Sequence, residues 1–117
     1  FMADYGERLA DNGYSVIPII PGTKVPGRFT GGEWSPYPDW ARHCDRPTKP
    51  FEVDIWRRWP GCGVGIATGA VVGVDIDILD GALAIQIAEL ATSMLGDTPC
   101  LRIGRAPKRL LVYRAST

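Results

Sequence analysis

Two aspartates, Asp75 and Asp77, are separated by a single residue in the run Val74-Asp75-Ile76-Asp77-Ile78. Valine and isoleucine are favoured in β-strands whereas aspartate is depleted there, so the alternation predicts a strand with one apolar face and one acidic face. Both carboxylates would then project the same way, about 6.6 Å apart along the strand. That spacing suits one or two divalent cations such as Mg²⁺ or Mn²⁺, whose charge would relieve the repulsion between the carboxylates. The alternative is a solvent-facing strand that binds no metal.

A basic segment follows the acidic strand in the sequence. The chain as a whole is neutral, with 13 Lys and Arg against 13 Asp and Glu, but residues 102–114 include cations and no acid. Such a stripe indicates either a contact with nucleic acid or a solvated surface, and both interpretations stay open. The cations are Arg102, Arg105, Lys108, Arg109 and Arg114.

Length and composition limit the class of protein. The 117 residues, 45% hydrophobic and 22% charged, predict one soluble domain spanning 1–117. The sequence has no apolar run of membrane-spanning length and no secretory signal pattern, so we expect a cytoplasmic protein without a membrane partner. Three widely spaced cysteines and one histidine, His43, argue against a disulfide framework and against a tetrahedral zinc site.

Residue periodicity predicts the elements that would position these charges. Helices are predicted over 2–12, 50–59 and 83–95, and strands over 14–20, 63–67, 70–78, 101–103 and 110–113. In the last helix, one stripe is formed by Leu83, Ile87, Leu90 and Met94. The expected fold is α/β of the α+β type, a small, mainly antiparallel sheet with flanking helices. The helix 83–95 packs on one side of that sheet, and the acidic and basic elements share the open face.

Glycine and proline predict the connections. Thr68-Gly69 is typical of a two-residue hairpin turn and would pair the strand 63–67 with the strand 70–78. Asp80 is out of phase with the two other aspartates, and we interpret it as a helix cap and not as a third metal ligand. The proline-rich segment 21–50 is expected to be mostly irregular. All four tryptophans lie between Trp34 and Trp59, where core packing is favoured over the stacking of bases.

In their order along the chain, several short motifs resemble the N-terminal part of bifunctional primase–polymerase domains, which belong to the archaeo-eukaryotic primase superfamily. The resemblance extends from about residue 3 to residue 114. The motifs are Gly13-Tyr14-Ser15-Val16-Ile17-Pro18, Pro21-Gly22-Thr23-Lys24-Val25-Pro26, Ile55-Trp56-Arg57-Arg58-Trp59, Gly65-Ile66-Ala67-Thr68-Gly69 and Val74-Asp75-Ile76-Asp77.

This resemblance implies a template-dependent nucleotidyltransferase, a DNA primase or polymerase, from a plasmid, phage or other mobile element. Asp75 and Asp77 would be the catalytic residues that hold two divalent cations, Mg²⁺ or Mn²⁺. The substrates would be nucleoside triphosphates, and the partners a single-stranded DNA template and a primer. A helicase or another replication module is expected in the same protein. Template contacts are expected from Lys24, Arg57 and Arg58.

The chain departs from the family pattern in the basic segment. The family typically has a Ser-x-His motif on the hairpin after the acidic strand and helix, and this chain has neither residue there. We expect Lys108 or a neighbouring arginine, Arg102, Arg105 or Arg109, to bind the phosphates instead. The family's third acidic ligand lies on a later strand, which we expect beyond Thr117, so the chain is interpreted as the front portion of the domain.

Two other functions are compatible with the same residues. One is a catalytically impaired module of this fold that binds single-stranded nucleic acid, and the other is a protein-interaction domain of a replication assembly. Strong salt dependence of binding without metal dependence would indicate the first, and no nucleic-acid binding at all would indicate the second.

Overall fold

A computed structural model describes residues 1–115 of the chain. The chain begins with a π-helical turn, Met2–Gly6, which continues directly into the first α-helix. The α-helices are α1 (Glu7–Asp11), α2 (Arg42–Asp45), α3 (Pro50–Trp56) and α4 (Gly81–Leu95). The strands are β1 (Val16–Ile19), β2 (Gly27–Thr30), β3 (Glu33–Pro36), β4 (Gly63–Ile66), β5 (Val71–Ile76), β6 (Leu101–Arg102) and β7 (Arg109–Arg114).

The strands of the described residues form three small antiparallel sheets, in the orders β1-β4, β2-β3 and β5-β7-β6. Helices combined with small antiparallel sheets confirm the predicted α+β class. The chain divides into two compact units, Phe1–Ala70 and a second that begins at Val71. The assignment of 1–117 to a single domain therefore stays a prediction. None of the helices between residues 1 and 115 is long and apolar enough to cross a membrane.

The first unit has a core that joins its N-terminal helical segment to α3 and to the β1-β4 sheet. Met2, Val16 and Val53 are at most 2% exposed, and Trp56 and Cys62 complete the cluster. Proline at the first position of α3 fits there because an N–H at that position has no partner within the helix. These contacts make the helices and strands of this unit one packed body.

The predicted hairpin between 63–67 and 70–78 is wrong, because its two strands take other partners. β4 pairs with β1, and the Ala67 N–H extends that ladder by donating to the Ser15 carbonyl at 2.8 Å. β5 pairs with β7. Gly69 lies between them with φ +146° and packs so closely on the Cys44 carbonyl that a Cβ atom would clash with it. This glycine thus serves a close backbone approach and does not form a hairpin turn.

The segment 21–50 is more regular than the sequence predicts, because it contains the β2-β3 hairpin. Gly31 and Gly32 have φ of 60° and 79°, the positive values that the favoured two-residue hairpin turn requires. Phe29 and Trp34 pair across the strands with ring centres 5.5 Å apart. In the sequence, the pair Gly31-Gly32 between Phe29 and Trp34 is typical of such a hairpin. The many prolines of the segment favoured the irregular interpretation instead.

The second unit packs α4 on one face of the β5-β7-β6 sheet. Ile76 and Leu111 on the sheet are buried against Ala84 and Ala88 on the helix. Small alanine side chains allow the helix to lie close to the strands, so the packed side of α4 is its alanine side.

The stripe identified in the sequence is therefore only partly the packed side of α4. Ile87 contacts the core, whereas Leu83, Leu90 and Met94 are 44%, 54% and 75% exposed. Asp80 accepts a hydrogen bond from the Leu83 N–H at 3.0 Å, which confirms its prediction as the helix cap.

Candidate functional site

Asp75 is the second-last residue of β5 and Asp77 directly follows the strand, and both lie on the face of the sheet away from α4. Val74 and Ile76 pack with α4, and because strand side chains alternate, the residues between and after them point to the opposite face. Both aspartates are exposed. The apolar side of this strand is held by the core, so the acidic side is presented to solvent in a fixed direction.

Lys108 forms an ion pair with Asp77, with 2.5 Å between Nζ and Oδ1. The pairing of β5 with β7 positions this contact, since Ile76 lies opposite Arg109 in the last pair of the ladder. Asp77 follows Ile76 and Lys108 precedes Arg109, so the two residues come next to each other just beyond that pair. Diagonal neighbours on adjacent strands have Cα atoms about 7–8 Å apart, so Lys108 is also near Asp75. The acidic strand and the basic segment thus share one face of the sheet.

Arg102 lies on the same face, one strand further across. It is opposite Leu110 on β7, and Leu110 is in turn opposite Asp75 on β5. Residues opposite one another in a sheet share a face, so Asp75, Leu110 and Arg102 form one row across the three strands, with all three side chains on the same face. The open face therefore presents two carboxylates and two cations.

The other two basic candidates are placed differently. Arg109 is opposite Ile76, which puts it on the side of the sheet that packs against α4, and its Nε donates to the Pro107 carbonyl at 3.4 Å. Arg105 lies in the exposed turn before β7, and its carbonyl accepts a hydrogen bond from the Lys108 N–H at 3.0 Å. The turn thus helps to hold the backbone of Lys108, and Arg109 does not share the acidic face.

The donor set at the acidic face fits a hard divalent cation that keeps other oxygen ligands. Asp75 and Asp77 supply carboxylate oxygens, the ligands that Mg²⁺ and Mn²⁺ prefer. Within residues 1–115, no group of three or more His, Cys, Asp or Glu side chains is arranged to hold a metal. Mg²⁺ is commonly held by one or two carboxylates together with water and phosphate oxygens, so two carboxylates are sufficient for that mode.

The predicted template residues belong to the first unit. Lys24 is exposed in the turn after β1. Arg57 is paired with Glu7 at 3.0 Å and lies 3.9 Å from Asp54, whereas Arg58 is exposed beside a cavity of about 280 Å³. The acids already balance the charge of Arg57, which leaves Arg58 and Lys24 better suited to bind phosphate.

A buried polar network in the first unit was not anticipated from the sequence. His43 is 1% exposed, and its Nδ1 and Nε2 lie 2.9 Å from the hydroxyls of Thr48 and Tyr37. Burial lowers the pKa of His43 below its ordinary value, although Glu52, with Oε2 3.9 Å from Nε2, acts in the opposite direction. Ser15 accepts from the Thr48 N–H and donates to the His43 carbonyl. A single histidine in a proline-rich segment carries no sequence signal for such a network.

Comparison with known protein families gives a match. The model of the family described as "Bifunctional DNA primase/polymerase, N-terminal" matches residues 6–116, nearly the whole chain. This match confirms the resemblance carried by the sequence motifs. Searches of curated proteins and of solved structures found no significant match.

Proposed function

Because the chain belongs to the family of bifunctional DNA primase/polymerase N-terminal domains, we propose that it carries the nucleotidyl-transfer site of a replication protein. The family supports a primase- or polymerase-like role in replication. The proposal goes further: the chain extends or starts DNA strands on a single-stranded template, using nucleoside triphosphates and divalent cations. The parent protein would be a cytoplasmic replication protein of a plasmid, phage or mobile element, with a helicase or similar module.

The observation that carries this proposal is the meeting of Lys108 with Asp77 on the face that also presents Asp75. Asp75 and Asp77 are the residues that would hold Mg²⁺ or Mn²⁺. Cations bound there would offset the charge of the triphosphate and favour ionisation of the primer hydroxyl. A polar, open sheet face with both signs of charge suits a ligand made of phosphates and metal.

The protein's own cations would bind and orient the nucleotide. Lys108 is half-buried and holds its ammonium over the acidic face by pairing with Asp77. A triphosphate carries more negative charge than one carboxylate, so its arrival would draw the ammonium from Asp77 to a phosphate oxygen. Arg102, which lies in the same row across the sheet as Asp75, would contact a second phosphate. These contacts would fix the triphosphate in line with the primer hydroxyl.

Nucleotide incorporation by the full-length protein tests the proposal. Labelled nucleotide is offered with a primed and with an unprimed single-stranded template, in Mg²⁺, in Mn²⁺ and in EDTA. We expect incorporation that requires the metal and is lost in D75A and in D77A. If both variants incorporate nucleotide like the wild type, these aspartates have no role in catalysis.

The second candidate is a module that binds single-stranded nucleic acid without catalysis, which the exposed Arg102 and Arg105 favour. Its affinity would fall steeply with salt, with a slope of about 0.7 for each phosphate contacted, and would not respond to divalent metal beyond ionic strength. Binding with this salt dependence in a protein that incorporates no nucleotide would support the second candidate over the first.

A further inference from the structure

Trp40 differs from the other tryptophans in its surroundings. Trp34 and Trp59 meet edge to face at 5.7 Å, and Trp56 is buried with its ring centre 5.6 Å from that of His43. Trp40 is 38% exposed and makes no ring contact with any residue between 1 and 115. Core packing therefore explains three of the four tryptophans and does not explain Trp40.

The backbone that carries Trp40 is firmly held. Its N–H donates to the Tyr37 carbonyl at 3.4 Å, and its carbonyl accepts from the His43 N–H at 3.0 Å. The His43 ring is fixed on both sides by the hydroxyls of Tyr37 and Thr48. An aromatic side chain on such a base loses little freedom when a ligand binds to it, because the chain beneath it is already ordered.

Three cationic side chains lie within ten residues of this exposed indole in the sequence. Arg42 is half-exposed, with its guanidinium 5.7 Å from the centre of the Tyr37 ring and 3.7 Å from Glu52. Arg46 and Lys49 are exposed. Between residues 39 and 49 the three cations exceed the acids, which are Asp39 and Asp45.

We propose that Trp40 stacks on an unpaired base of single-stranded DNA, and that Arg46 and Lys49 contact the phosphates on either side of that base. Stacking on an aromatic ring is tolerant of sequence because every base has a π-face, and nearby cations track the backbone. This chemistry suits a template of any sequence. The inference deepens the proposed function, since it names a contact for the template strand within the first unit.

The test measures the fluorescence anisotropy of a labelled oligo-dT mixed with full-length protein in EDTA, so that no divalent cation takes part. W40A is expected to weaken binding at least about fivefold, the lower end of the range for losing one stacked base. W40F should retain most of the affinity, because phenylalanine can also stack. Y5A is the matched control: Tyr5 is 51% exposed in the same unit but lies between the acidic residues Asp4 and Glu7.

Two further readouts distinguish stacking from a general structural effect. Oligo-dT should quench tryptophan fluorescence in the wild type and much less in W40F, since the other three indoles lie in the core. R46Q should reduce the slope of log affinity against log salt by about 0.7, as expected for one lost phosphate contact, whereas W40A should leave the slope unchanged.

The inference is overturned if W40A binds oligo-dT like the wild type, or if Y5A loses as much affinity as W40A. Failure of the proposed function gives a different result. A protein that incorporates no nucleotide but loses DNA affinity in W40A refutes catalysis and keeps the stacking site. A protein that incorporates nucleotide while W40A binds normally keeps catalysis and refutes the stacking site.

Discussion

Replacement of Lys108 by methionine should affect metal binding and nucleotide binding in opposite directions. In the structure the Lys108 ammonium lies 2.5 Å from an oxygen of Asp77, with the two side chains 34% and 69% exposed. A cation that binds Asp77 must displace this ammonium. The K108M variant keeps a long apolar side chain of similar length, so the change removes the charge with little loss of packing.

The size of the effect follows from the exposure of the pair. Two unit charges 2.5 Å apart attract by about 1.7 kcal/mol in bulk water. Salt screening and lost side-chain freedom reduce the measured value of exposed pairs to about 0.2–1 kcal/mol. The upper half of that range corresponds to about a three- to fivefold change in affinity, so K108M should bind Mn²⁺ about three- to fivefold more tightly. Binding of the triphosphate should weaken, by about tenfold, because a charged hydrogen bond is lost.

Electron paramagnetic resonance of free Mn²⁺, titrated against full-length protein without and with nucleoside triphosphate, measures both affinities. R109M is the matched control, because it removes the same charge from the neighbouring residue on the other side of the sheet. We expect less than a twofold change in either affinity for R109M. If K108M binds Mn²⁺ no more tightly than the wild type, or if R109M changes both affinities as much as K108M, the assignment of Lys108 to the site is refuted.

Three further predictions concern the fold. Burial lowers the pKa of His43 below 6.5, so the unfolded chain binds a proton at this histidine more readily than the folded chain does. The free energy of unfolding of the first unit should therefore fall as pH drops below about 6.5. Urea unfolding of the wild type and of H43Q should show a smaller fall in H43Q. Gly69→Ala should cost about 1–3 kcal/mol of unfolding free energy, because φ is +146° and the new Cβ meets the Cys44 carbonyl, whereas Gly81→Ala, with open space at its Cβ, should cost nothing. Burial raises the pKa of the Cys62 thiol, so iodoacetamide should alkylate the exposed Cys100 at least about tenfold faster, as read by mass spectrometry; equal rates would contradict the packing of Cys62.

In the second unit, the sequence predicted the features that local patterns determine. The alternation around Asp75 and the cap at Asp80 are local patterns, and local patterns determine a strand face and a helix start. The partner of β5 was not predictable in the same way, because pairing with β7 depends on contacts more than thirty residues away in the sequence. The Thr68-Gly69 pair was misleading because its glycine serves a close contact with Cys44.

The packed side of α4 and the position of Lys108 also needed tertiary information. Large apolar residues predict which stripe of a helix is packed, but here Ala84 and Ala88 contact the sheet, because their small side chains allow the helix to lie close to the strands. The basic segment was recognised from composition, while the register of β5 with β7 decided that Lys108 meets Asp77 and that Arg109 does not. The buried contacts of His43 join residues 37–48 to Ser15, which lies 28 positions before His43, and no periodicity in the sequence indicates such a pairing.

We propose that Asp75 and Asp77 act together to hold metal during strand synthesis. The most direct test is the nucleotide incorporation rate of four variants in which neutral asparagine replaces aspartate. D75N and D77N remove one charge each without changing the size of the side chain, and the double variant removes both. In D80N, asparagine still caps α4. We expect each single variant to lose at least about a hundredfold in rate, the double variant to lose little more because the two carboxylates act as a unit, and D80N to match the wild type. Near-normal rates in D75N and D77N, or an equal loss in D80N, would contradict the account.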